Sequence, residues 1–70
     1  MRRFRVGDEV RFRPLTTMRP SLKDEVGRVV EIEPHPLQKG PIYRVWIQFP
    51  RERAEGVFAY ELELVKAAPD

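Results

Sequence analysis

A nucleophile held beside a base would need Ser21, Thr16 or Thr17 to meet His35, the only histidine in the chain. All four lie in proline-rich stretches, and His35 sits between Pro34 and Pro36. A triad needs a rigid frame around nucleophile and base, so His35 reads as an exposed loop residue. The carboxylate pairs are Asp8-Glu9, Asp24-Glu25 and Glu31/Glu33. Acid–base work on a glycoside needs two carboxylates facing across a cleft, and a chain this short has little room for one. Cross-strand pairing with arginines is the expected role of Glu31 and Glu33. With no cysteine and one histidine, the usual zinc ligand sets are missing. Gly7, Gly27, Gly40 and Gly56 are too scattered for a phosphate loop and read as bends or turns. The sequence is therefore read as non-enzymatic, with no catalytic residue, no metal and no cofactor.

One row of residues survives this elimination. In "YRVWIQF", residues 43–49, Tyr43, Val45, Ile47 and Phe49 alternate onto one face of a strand. Arg44, Trp46 and Gln48 then share the other. Trp and Arg are the residues most enriched at binding hot spots. Arg11 and Arg13, on the outer face of the first strand, either extend this patch or sit on the far side. Trp46 either makes the contact itself or packs under the loop 14–24, against Leu15, Met18 or Leu22.

The elements that must position this row are short strands. In "FRVGDEVRFRP", Phe4, Val6, Val10 and Phe12 share the inward parity, and Arg3, Arg5, Glu9, Arg11 and Arg13 the outward one. Gly7-Asp8 is turn chemistry, and Pro14 ends the strand. Residues 14–24 read as a long loop. "EVGRVVEIE", residues 25–33, is a second strand whose parity slips, which predicts a bulge or bend near Gly27. Residues 34–41 are a proline-rich loop, and residues 43–49 the third strand. "PRERAEG", residues 50–56, reads as a polar hairpin loop. "VFAYELELV" reads as a strand, a short helical turn at Ala59-Tyr60-Glu61, and a last strand. Five short strands with turn signals between them predict a small all-β barrel or sandwich, and closure as a five-stranded barrel is a reasonable way for so small a chain to manage its edges. Residues 1–66 form the domain, and 67–70 are expected to be a flexible tail.

Seventy residues make one domain, near the lower limit for folding alone. No apolar run approaches the roughly 18 residues of a membrane span, and "MRRFR" lacks the apolar stretch of a signal peptide. A cytoplasmic chain with no membrane association is expected. Net charge is +2, but it is uneven. Residues 1–20 carry six Arg against Asp8 and Glu9, which is +4, while residues 51–70 carry three basic and five acidic residues, which is −2.

The pattern of Phe4, Gly7-Asp8 and Val10, then Gly27 with Val29, Tyr43 and Val45 with Phe49, and Glu61-Leu62-Glu63 resembles the SH3-like barrels of the electron-transport accessory superfamily. That group includes the C-terminal domain of the nitrile hydratase beta subunit, photosystem I reaction-centre subunit IV and the variable chain of ferredoxin–thioredoxin reductase. The likeness runs over residues 4–65. It implies a five-stranded SH3-like barrel with a long loop after strand 1 and a 3-10 turn before the last strand. It also implies an accessory module that packs against a larger enzyme or redox complex, whose own chain carries the chemistry. A partner site at Arg11, Arg13, Arg44, Trp46 and Gln48 is the expectation, in a monomer or weak dimer. The alternative is a KOW-type nucleic-acid-binding module using the N-terminal arginines and Trp46.

Overall fold

The computed structural model describes residues 3–14, 20–35 and 40–69. Five strands, β1 (Glu9–Phe12), β2 (Gly27–Ile32), β3 (Arg44–Gln48), β4 (Arg53–Phe58) and β5 (Leu62–Lys66), form one antiparallel sheet. Two 3-10 turns, η1 (Pro20–Leu22) and η2 (Ala59–Glu61), interrupt the chain. The all-β class, the strand count and the 3-10 turn before the last strand are as the sequence predicts. Among the described residues no helix is long and apolar enough to cross a membrane.

The strand order is β4-β3-β2-β1-β5. Laid flat, four strand spacings would hold the two edges about 19 Å apart. Yet β4 and β5 are joined only by the three residues of η2. A 3-10 turn rises about 2 Å per residue, so the step from Phe58 to Leu62 covers about 8 Å. The sheet must therefore curl until its two edges approach at this end. Two backbone hydrogen bonds fasten η2 across the gap. Ala59 N–H donates to the carbonyl of Tyr43 just before β3, and Arg13 N–H, just after β1, donates to that of Glu61, each at 2.9 Å. No ladder pairs β4 with β5 among the described residues.

The core lies inside this curl. Tyr43, Val45, Ile47 and Phe49 are all buried, as the alternation demands, together with Val10, Phe12, Leu22, Val29 and Leu62. Phe12 and Phe49 stack with centroids 5.8 Å apart. Burying each large side chain contributes about 1.5–3 kcal/mol. Without a disulfide, this cluster is the main source of stability.

Three local expectations fail, each for a steric reason. Val6 is 60% exposed, because the chain turns at Val6-Gly7 and β1 starts only at Glu9. The β2 bulge is not at Gly27 but at Val30, where Val29 faces Ile47 and Glu31 faces Trp46. Gly27 is instead buried in close packing, since a Cβ there would lie 2.5 Å from Ile47 Cγ2. Gly56 does not close a loop. It lies within β4, at φ 64°, in a second irregularity where Val45 faces Val57 but Ile47 faces Ala54. A bulge needs one residue in an unusual conformation, and glycine adopts a positive φ without steric cost.

Asp8 is a buried charge at the start of β1. Its carboxylate accepts from Arg5 N–H at 2.9 Å and from Ala68 N–H at 2.7 Å. The same side chain thus shapes the first turn and holds the segment after β5 against it.

Candidate binding surface

β3 turns Arg44, Trp46 and Gln48 outward while Val45 and Ile47 fill the core. Trp46 is half-buried and lies between the bulges of both neighbouring strands. Bulges bend a strand and re-aim its side chains, so β2 and β4 both bend beside this residue. Leu22 does not cover it, since Leu22 is buried in the core cluster. The expectations on Leu15 and Met18, and those on Thr16 and Thr17, fall outside the described residues.

Gln48 turns out to be structural. Its Nε2 donates to the carbonyls of Phe49 at 2.8 Å and Glu52 at 3.3 Å, closing the turn into β4. Arg11 is likewise engaged, its Nε bonded to the Glu63 carboxylate directly across the β1–β5 ladder. Both side chains stay exposed while making these local bonds.

Arg44 and Arg13 are linked by a chain of contacts through two aromatic residues that the expected site did not include. Phe58 faces Arg44 across the β3–β4 ladder, and the Arg44 guanidinium carbon lies 5.2 Å from the Phe58 ring centroid. That ring stacks on Tyr60, with centroids 5.4 Å apart and planes inclined by 10°. Tyr60 carries its carbonyl to Arg13 Nε at 3.1 Å. The result is a ridge, Arg44–Phe58–Tyr60–Arg13, that crosses the end of the sheet where the edges meet. A second row, Arg44–Trp46–Gln48, runs from it along β3.

The ridge is held from below. The Glu61 carboxylate accepts from Phe58 N–H at 2.9 Å, capping η2, and a Glu33 carboxylate oxygen accepts from Arg44 N–H at 2.9 Å. These bonds fix the backbone on either side of the stacked rings, while Tyr60 remains 50% exposed. A rigid aromatic between two cations loses little rotamer entropy when a partner covers it. The signal in the sequence was Phe58, whose parity opposes that of buried Val57 and Ala59.

His35 is exposed, and the Ser21 hydroxyl donates to Glu52 at 3.3 Å. Among the described residues no group of three or more His, Cys, Asp or Glu could hold a metal. No protein-family model, curated protein or solved structure matches this chain.

Proposed function

We propose that this chain is a non-catalytic, cytoplasmic accessory module that docks on a larger enzyme or redox complex, in the manner of the SH3-like barrels it resembles. The observation that carries the reading is the Arg44–Phe58–Tyr60–Arg13 ridge. It lies outside the core, so its stacking is not needed to fill the fold. Its residue types are those that dominate protein contacts. Trp46 extends the contact along β3.

Chemical crosslinking and capture from a native extract test this reading. One dominant protein should be retained by the wild-type chain and lost with Arg44→Gln, Phe58→Ala or Trp46→Ala. Recovery of nucleic acid alone would reject docking in favour of the nucleic-acid reading. Arginines beside exposed aromatics also suit base stacking, which is what favours that second reading. Against it stand Glu33 and Glu61, whose carboxylates bond the backbone of the ridge residues Arg44 and Phe58, and Glu63 on Arg11, which oppose a phosphate track.

A further inference from the structure

Beside the ridge, at the same end of the sheet, lies a cleft of about 420 Å³ walled by Arg3, Phe4, Arg13, Pro41, Tyr43 and Tyr60. This is within the range of about 300–1,000 Å³ typical of ligand sites. Its polar features are few and of one sign. Among the described residues, both charged members of the wall are arginines and none is acidic. The polar end of Tyr43 is engaged inside the fold, its hydroxyl accepting from Phe4 N–H at 2.8 Å. The Arg3 guanidinium carbon lies 4.8 Å from the Tyr43 ring centroid. Arg13 is fixed through Nε on the Tyr60 carbonyl, which leaves its two terminal nitrogens able to form a fork on a carboxylate. Among the described residues the rest of the wall is apolar apart from the Tyr60 hydroxyl.

The occupant must therefore combine an apolar body with a negative charge. A polyanion fits less well, because only two cations stand among the described wall residues and the acidic Glu61 follows the wall residue Tyr60 directly in the chain. A carboxylate beside a large side chain needs no more than those two cations. The geometry points to a site for an acidic, aromatic-bearing peptide segment of a partner protein. Its ring would seat between Phe4, Pro41 and Tyr60, and a flanking Asp or Glu carboxylate would be received by Arg13 and Arg3. This rests on the docking reading and specifies the chemistry of the partner.

The test is fluorescence anisotropy of a labelled peptide, Gly-Ser-Asp-Phe-Glu-Ser-Gly, titrated with the full chain at low salt. Controls are the peptide with Phe replaced by Gly, the peptide with its acids replaced by Lys, and a single-stranded oligonucleotide. The acidic aromatic peptide should bind and the two peptide controls should not. Arg13→Gln should weaken binding about tenfold or more, the loss expected for a charged hydrogen-bonded pair. Arg13→Lys should restore only part, lacking the planar fork. Arg3→Gln is a second variant, and matching circular dichroism spectra report that both variants fold. Equal binding of the Lys peptide, no effect of Arg13→Gln, or binding of the oligonucleotide alone would each overturn the site. If partner capture depends on Arg44 and Phe58 but not on Arg13, the cleft is excluded and docking stands. Peptide binding through Arg13 without any captured protein would keep the site and count against the docking reading.

Discussion

Gly27→Ala tests the packing account most severely. The Cβ added there would sit 2.5 Å from Ile47 Cγ2 and 2.9 Å from two Phe49 ring carbons. Carbon atoms pack at about 3.5–4.0 Å, so the new methyl intrudes by roughly 1 Å on two residues at once. Neither neighbour can move away cheaply, since Ile47 and Phe49 are both fully buried. Nor can Gly27 retreat, because it faces Val10 in the β1–β2 ladder. Overpacking of this kind costs about 1–3 kcal/mol, and two simultaneous clashes place the expectation at about 3. A chain of 70 residues has a total stability of only about 4–10 kcal/mol. At about 4–8 °C per kcal/mol for a domain of this size, the melting temperature should fall by about 12–24 °C. Thermal unfolding followed by circular dichroism and by Trp46 fluorescence measures it. A shift within about 4 °C, less than 1 kcal/mol on that scale, would refute the packing assigned to Gly27.

Other variants probe other links. Asp8→Ala removes the acceptor of two backbone N–H groups and should cost about 1–3 kcal/mol in urea unfolding; an unchanged midpoint would show that the carboxylate does not hold the chain ends together. Gly56→Ala forces a side chain into a positive φ and should cost about 1–2 kcal/mol, with a change in Trp46 emission because the bulge lies opposite that residue. A melt identical to wild type would mean that the bulge relaxes freely. Arg11→Ala breaks an exposed ion pair and should change stability by less than about 1 kcal/mol; a larger loss would give Arg11 a structural weight that its exposure does not suggest.

Some of this was legible from residue order alone. The β3 pattern is unambiguous because inward and outward residues differ sharply in polarity, so Tyr43, Val45, Ile47 and Phe49 could be assigned to the core. The slip in β2 was visible as well, but consecutive Val29 and Val30 are equally apolar, and parity alone could not say which one was extra. Gly27 and Gly56 exchanged roles for a related reason. A glycine serves equally in a bulge or beneath a neighbour's side chain, and only the packing of Ile47 and Phe49 distinguishes the two.

The site was legible residue by residue and not as an assembly. Arg44 and Trp46 face outward as the alternation requires, whereas Gln48 and Arg11 are drawn into local bonds that no spacing rule reveals. The line of contacts from Arg44 to Arg13 depends on the curl that brings β4 and β5 together through η2. That is a property of the whole sheet, so the parity of Phe58 could mark it as outward but could not place it with Tyr60 and the two arginines in one ridge.

The central claim, that the η2 end is the docking surface, is tested most directly by photo-crosslinking in the cell. A photoreactive phenylalanine analogue is placed at Tyr60 and, separately, at Arg28, which faces Gln48 at the opposite end of the β2–β3 pair. Irradiation should yield one dominant protein adduct from position 60 and none from position 28. An adduct from position 28 alone, or nucleic acid as the only species attached at position 60, would contradict the account.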